Sequence, residues 1–495
     1  MADLREWLAR VEGLGELRTL QGVHWDLEIG VITEMVGRQR GKPAVLFGDI
    51  PGYPSGSRVL INSLGSHNRF ALAMGLPLGL TETEMVQEWR RRLRGMKLLP
   101  PRFVDGGPVM ERADVGEDVD LLKFPVPKWH EHDGGRYIGT GDIVITQELQ
   151  GETGAGGWPR LQAQLAAMPE SPWTNLGTYR AMVHDHNHVG LQISPTHHGQ
   201  LHYQQWAAQG KPMPIAVAVG VDPLLFVVGS TELPPGLSEY DYAGALRGEP
   251  IEVVKGPITG LPIPAAAEIV LEGFVDPQEL RPEGPFGEYT GYYGSHVRPE
   301  PVMKVEAVYY RDNPIILGSP PLKPIDYAGL YFMETMRAAL LWDALETAGV
   351  PDVTGTWLHV TRNFMVTVSI KQRYPGHAKQ AGRIATQCSV TNLAGRFTVV
   401  VDDDIDVADI DEVLWAMCTR VDPDRDIEIL GGCSSHPLDP IIHPERKATP
   451  TTSRVIIDAT RPYEWRDRFP EVVASSPELR QQVLARWGEK LRGII

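Results

Sequence analysis

The sequence predicts a multidomain chain that mixes α+β and α/β units, and three observations carry that prediction. Its 495 residues exceed what one ordinary core organises. Its 51 glycines and 41 prolines are spread along the whole length, which marks many short strands and turns. The hydrophobic period also changes twice, from mixed helix and strand, to short strands, and back to mixed helix and strand.

Leu4, Trp7, Leu8 and Val11 recur at helical spacing and are stopped by Gly13 and Gly15, so the chain opens with a short helix. PAVLFGDIPGYP and SRVLINSLG read as buried strands ended by turn residues, and the stretch from Thr81 to Leu99 reads as a long helix. Residues 1–118 therefore form a first α/β domain. From LLKFPVP onward, DIVITQEL, PIAVAVGV, EIVLEGFV and MKVEAVYY are short strands between Gly/Pro-rich loops, so residues 119–312 form a barrel or sandwich. In residues 313–495, ETMRAALLWDALETAG, DIDEVLWAMCTRV and SPELRQQVLARWGEKLRG are helices, and MVTVSI and RFTVVVDDDID are strands. That tract reads as a C-terminal α/β domain with a helical tail.

The formal net charge of −16 repels phosphate backbones, and no Lys/Arg stripe with interleaved aromatics is present, so nucleic acid is excluded as a partner. The one basic cluster, Arg90 to Arg94 with Lys97, reads as the solvated face of an amphipathic helix. Cys388, Cys418 and Cys433 are too few for a disulfide framework and have no CxxC spacing, which implies a reducing compartment. The N-terminus is charged throughout, unlike a secretory signal, and no run approaches the length of a membrane span. The expected location is cytoplasmic.

GxxxxGK[ST], GxSxG and HExxH are missing, as is a strand-GxGxxG-helix unit, against a nucleotidase, an α/β-hydrolase, a zincin or an ordinary Rossmann dehydrogenase. Six of the 15 histidines fall between His184 and His202. His184, His186 and His188 alternate, which on a strand would put them on one face as ligands or as solvated side chains. In RPEGPFGEYTGYYG, Glu283 and Glu288 flank a Pro-Phe-Gly turn and can share a pocket. Two close carboxylates do not both ionise cheaply, so one would have its pKa raised and donate a proton near neutral pH; the alternative is a solvated loop with two ordinary surface acids. Glu239, beside Ser238 and Asp241, is either a hard oxygen ligand or the cap of a helix beginning near Asp241.

The order of LREWLARVEGLGELRTL, DLEIGVITE, PAVLFGDIPGYP, WTNLGTYR, GVDP, LSEYDYAGALRGEPIEVVK, EGPFGEYTGYY, YPGHAKQ, VVVDDDID and IIDAT resembles the UbiD decarboxylases nearly end to end. The resemblance implies a central split β-barrel that binds prenylated FMN, flanked by the two α/β domains. It implies Arg180, Glu283 and Glu288 as a catalytic set, with Glu288 the proton donor and Arg180 holding the charge of Glu283. Asn175, His198 and Glu239 would hold Mn2+ or Mg2+ against the cofactor phosphate, and K+ or Na+ is a further candidate ion. Spacing from Asp185 and back from Trp206 selects His198, whereas the shorter spacing after Gly190 selects His197. Ser230 and Thr231 of GSTELP would touch the flavin.

The implied substrate is an aromatic, heteroaromatic or α,β-unsaturated carboxylic acid that releases CO2 reversibly, with a flavin prenyltransferase supplying the cofactor. A homodimer or homohexamer would use the C-terminal helix. Glu288 resembles the ferulate-type branch, whereas GYYG, VDPDRD and IIDAT are closer to the polyprenyl-hydroxybenzoate branch, so the particular acid stays open. LGSPPLKPIDYAGLYF, with Tyr327, Leu330 and Tyr331, would line a pocket for a flat apolar acid. The competing readings are a metal-dependent hydrolase built on the His184–His202 cluster and a non-catalytic flavin-binding protein.

Overall fold

The computed structural model describes residues 3–38, 41–149, 164, 172–194, 197–231, 233–294, 296–323, 327–359, 365–391 and 395–491. The opening helix α1 (Leu4–Gly13) starts at Asp3, whose carboxylate accepts the Glu6 N–H, and buries Leu4, Trp7, Leu8 and Val11. Next come β1 (Leu17–Gln21), α2 (Glu28–Gly37), β2 (Ala44–Gly48), β3 (Arg58–Ile61), α3 (His67–Met74) and α4 (Glu82–Arg94). Thr81 and Glu84 form a capping box that starts α4. The basic face of α4 is not simply solvated: Arg90 is buried against Asp343 and Glu346, and Arg92 donates to the carbonyls of Met74 and Leu246. A guanidinium has enough donors to bridge helices, and here these do.

The middle of the chain supplies β4 (Arg102–Phe103), β5 (Arg112–Val115), β6 (Arg136–Gly139), β7 (Asp142–Gln147), β8 (Thr174–Gly177), β9 (Ala181–Val183) and β10 (His188–Leu191). It continues through α5 (His198–Ala208), β11 (Met213–Val219), α6 (Pro223–Gly229), α7 (Glu239–Arg247), β12 (Glu252–Lys255), β13 (Pro262–Pro264), β14 (Ile269–Glu283) and β15 (Arg298–Tyr310). The last part comprises β16 (Ile315–Gly318), α8 (Tyr327–Thr347), β17 (Val353–His359), β18 (Met365–Ile370), α9 (His377–Gln387), β19 (Phe397–Asp402), α10 (Ile410–Arg420), β20 (Ile427–Ser434), β21 (Thr451–Ala459) and α11 (Pro477–Leu491).

The sheets run β1-β2-β3-β16, β6-β9-β10-β15-β14-β11-β7-β8 with β5 on β15, β13-β12-β4, and β17-β18-β19-β21-β20. The large sheet curls, because its first strand β6 returns beside β7 and β11. Three strands cross the boundaries expected from sequence: β4 pairs with β12, β5 joins the central sheet through β15, and β16 completes the N-terminal sheet through β3. Short apolar strands show which residues are buried but not with which partner they pair.

In β7 and β11 both faces are buried, which explains their nearly unbroken apolar runs. Ile143, Ile145, Ala216 and Ala218 enter a core shared with helices and the C-terminal sheet, whereas Val144, Ile215, Val217 and Val219 enter the core inside the curl. Each fully buried Ile or Val contributes roughly 1.5–3 kcal/mol relative to exposure, so this sheet is a rigid base for the side chains at its ends. Among the described residues no helix is long and apolar enough to cross a membrane.

Candidate active site

Arg180 sits in the short link between β8 and β9, and Glu283 is the last residue of β14, so two strand ends of the curled sheet bring them together. Arg180 Nε donates to Glu283 Oε1 at 2.9 Å and Nη2 to Glu283 Oε2 at 2.7 Å, a two-pronged ion pair. Its Nη1 reaches Glu288 Oε1 at 3.0 Å. Glu283 is fully buried, the Arg180 side chain is 7% exposed and that of Glu288 is 12% exposed. Burial opposes the charge on Arg180, but the contacts with Glu283 and then Glu288 win and raise its pKa. The expected trio is therefore in one place, with one difference: the guanidinium touches both carboxylates instead of reserving its charge for Glu283.

The loop carrying Glu288 is held on several sides. Glu288 N–H donates to Tyr292 O at 2.9 Å, and Gly291 N–H donates to Glu288 O at 2.8 Å, closing a tight turn. The Tyr137 ring lies against Phe286 at 4.1 Å between centroids, and the Arg180 guanidinium stands 5.7 Å from the Phe286 ring centre. Tyr293 OH donates to Asp133 at 3.3 Å, while Lys447 Nζ donates to Gly294 O at 3.1 Å from the C-terminal part of the chain. Sequence reasoning missed Tyr137, whose hydroxyl lies 3.1 Å from Glu283 Oε1. The only signal was a tyrosine inside the GGRYIG strand, and nothing local names its partner.

A second polar group lies around β8. Asn175 pairs across the ladder with Thr146, and its Nδ2 donates to Thr146 Oγ1 at 3.3 Å and to Tyr179 OH at 3.2 Å. Thr146 Oγ1 in turn meets His202 Nδ1 at 3.0 Å, so Asn175 is oriented by a chain of buried groups. Glu239 is buried at the first position of α7, where Ser238 is the cap, so the helix begins two residues before Asp241. Burial pushes the Glu239 carboxyl up to about 8, although the Leu176 N–H donates to it at 2.8 Å. Among the described residues no cationic side chain pairs with Glu239, so a divalent ion fits as its counter-charge.

The histidines do not share one strand face. His184 and His186 lie in the turn between β9 and β10, and His188, on β10, is paired with Asp185. His197 stacks on Tyr179 at 5.3 Å, whereas His198 and His202 stand edge-on to Trp173 at 4.8 and 4.7 Å. Among the described residues no group of His, Cys, Asp and Glu alone gathers as a three-ligand cluster. The set expected from the sequence, with Asn175 in it, has a different donor chemistry.

Ser230 and Thr231 follow α6 and turn their hydroxyls back onto Phe226 O and Val227 O at 2.8 and 2.9 Å. Their remaining lone pairs are what they can offer a ligand. Residues 324–326 of the expected pocket wall, and the side chains of Tyr327, Leu330 and Tyr331, lie outside the described residues.

Comparisons with known proteins match this chain over nearly its whole length. The 3-octaprenyl-4-hydroxybenzoate carboxy-lyase (UbiD) N-terminal domain matches residues 8–93, its Rift-related domain residues 102–166 and 162–324, and its C-terminal domain residues 330–459. A pyrrole-2-carboxylic acid decarboxylase from Pseudomonas aeruginosa is 33% identical over 98% of this chain and 98% of its own. The vanillic acid decarboxylase of Sedimentibacter hydroxybenzoicus in open form superposes with a TM-score of 0.83 at 29% identity, covering 99% of this chain and 98% of that one. An evolved dimeric form of the UbiD-class enzyme HmfF from Pelotomaculum thermopropionicum in complex with prFMN superposes with a TM-score of 0.79 at 29% identity, covering 98% of this chain and 100% of that one.

Proposed function

The chain belongs to the UbiD family of carboxy-lyases, and from that membership we propose that it decarboxylates an aromatic, heteroaromatic or α,β-unsaturated carboxylic acid with prenylated FMN. The observation that carries the proposal is the buried Arg180 shared by Glu283 and Glu288 at the end of the curled sheet. A protein that only bound flavin would not need two carboxylates held by one arginine. Neither hydrolysis by a histidine-bound metal nor simple flavin binding has a comparable observation behind it.

Bound prenylated FMN supplies the electron sink that lets CO2 leave an sp2 carbon. The residues of the chain handle charge and the proton. The bond between the carboxylate carbon and the ring or α-carbon breaks, CO2 departs, and the proton on Glu288 passes to the carbon that lost it. Glu288 is left as a carboxylate and regains a proton from solvent before the next turn. Arg180 supports both states: a protonated Glu288 accepts Nη1 on its carbonyl oxygen while the other oxygen carries the hydrogen, and the ionised form accepts it more strongly. Phe286 and Tyr137 wall the site with apolar surface, which limits water.

Asn175, Glu239 and one imidazole of the adjacent His197 and His198 would hold Mn2+ or Mg2+ beside the cofactor phosphate, where an oxygen-rich set suits a hard cation. Ser230 and Thr231 fit the flavin edge of the same region. The curled sheet, with β5 and α5 to α7, would serve as the flavin-binding split barrel between the two α/β domains. The tail helix α11 exposes Leu479, Val483, Leu484 and Trp487, which supports a homo-oligomer built on it, and three free cysteines suit the reducing cytoplasm. Chain co-expressed with a flavin prenyltransferase and offered a panel of such acids should release CO2 from at least one, and chain lacking the prenylated flavin by mass spectrometry should release none. Full turnover without the cofactor would overturn the proposal.

A further inference from the structure

Glu283 has a second kind of partner beside its arginine. Tyr137 lies on β6, fully buried, with its hydroxyl 3.1 Å from Glu283 Oε1 and its ring against Phe286, which lies in the turn between the two glutamates. Oε1 thus accepts from Arg180 Nε and from Tyr137, while Oε2 accepts from Arg180 Nη2. All three contacts favour the ionised carboxyl, because a proton on either oxygen would meet a donor that has to turn away.

We propose that Tyr137 is a positioning residue that keeps Glu283 a carboxylate, so that the proton used in the reaction resides on Glu288. This rests on the reaction proposed above. The charged and titratable groups facing Glu283 are Arg180, Glu288, Tyr137, His184 in the β9–β10 turn, and Arg298 and Glu300 on β15. Burial, then Arg281, lowers the pKa of His184, which keeps it neutral at working pH, and Glu300 is paired with Arg298. Burial, then Glu283, pushes the Tyr137 phenol far up, so its O–H remains a donor over the whole accessible range. Arg180 and Tyr137 therefore set the protonation of Glu283, and Arg180 is shared with Glu288, whereas Tyr137 touches Glu283 and not Glu288 among its hydrogen bonds.

Tyr137→Phe tests this, since it keeps the ring and its packing on Phe286 and removes one donor. In the flavin-loaded enzyme the acid limb of kcat/KM should move up by about one pH unit, because a donor to the charged form has been lost. A merely structural role would lower kcat at every pH and leave the limb in place. The second readout needs no turnover: the infrared carboxyl band that vanishes in Glu283→Gln should titrate at higher pH in Tyr137→Phe than in the parent. If the limb and the band both stay where they were, the inference is overturned. If the parent releases CO2 from no acid, the reaction fails while the infrared titration still decides the role of Tyr137.

Discussion

The backbone N–H of Leu176 donates to the buried carboxylate of Glu239 at 2.8 Å, which fixes Glu239 directly behind the strand residue next to Asn175. Among the described residues no cationic side chain pairs with it, and the ligand set proposed above would place a divalent ion there. Glu239→Gln keeps an oxygen for the Leu176 N–H and removes the charge. The variant should fold as the parent does and lose both divalent ion and flavin, read by elemental analysis and by visible absorbance. Stoichiometric Mn2+ and flavin in that variant would remove Glu239 from the ligand set.

The adjacent histidines make a sharper test of the same site. Spacing along the sequence selects His198, yet His197 is the one stacked on Tyr179, the residue that accepts from Asn175. That contact leads us to expect metal loss in His197→Ala and metal retention in His198→Ala. The reverse pattern would restore the assignment by spacing. Both variants should bury the same helix, since His198 begins α5 and His197 precedes it.

How much of this was legible in the sequence depends on the range of the interaction. Leu4, Trp7, Leu8 and Val11 form the buried stripe of α1 that their spacing announced, because helical periodicity is local. The elements in the central region were also legible, since DIVITQ and PIAVAV are apolar at nearly every position. Their partners were not. β16 pairs with β3 across more than half the chain, and no pattern within Ile315–Gly318 encodes that.

The same division runs through the site. Arg180, Glu283 and Glu288 were found by their motifs and lie together, whereas Tyr137 and Thr146, which orient Glu283 and Asn175, carry no motif of their own. His184, His186 and His188 alternate in sequence as a strand would, but Asp185 accepts the Asn187 N–H and shapes a turn there instead. The basic run from Arg90 reads as solvated until Asp343 and Glu346 arrive from α8.

Asp142, outside both polar groups, should make stability fall with pH. Burial pushes its carboxyl up to about 8, and among the described residues its Oδ2 has no hydrogen-bond partner. The folded chain therefore holds a proton that the unfolded chain, with an ordinary carboxyl, has released above about pH 4. Stability from this group is complete below the unfolded value and is lost as pH rises toward the folded one, at up to about 1.4 kcal/mol per pH unit. Asp142→Asn removes the titration while keeping the shape. Urea midpoints measured at about pH 5 and about pH 8 should fall in the parent and fall less in the variant. Parallel declines would show that other groups govern the slope.

Glu288 is the residue whose substitution should separate chemistry from binding. It lies on a turn closed by its own backbone contacts with Tyr292 and Gly291, so its side chain is not needed to shape the loop. Glu288→Gln retains a carbonyl oxygen for Arg180 Nη1 but has no acidic proton to give. Arg180 stays neutralised by its two-pronged pair with Glu283, so the fold and the cofactor should be kept. Turnover should drop by roughly 10²- to 10⁴-fold, the range for removing a general acid. In D2O the parent should place deuterium at the carbon that held the carboxylate, and it should also exchange that hydrogen in added product. The variant should do neither at a comparable rate. A flavin-loaded Glu288→Gln enzyme with near-normal turnover and exchange would move the donor elsewhere, to Glu283 or to a water held beside Arg180, because those are the remaining groups within reach of the same charge.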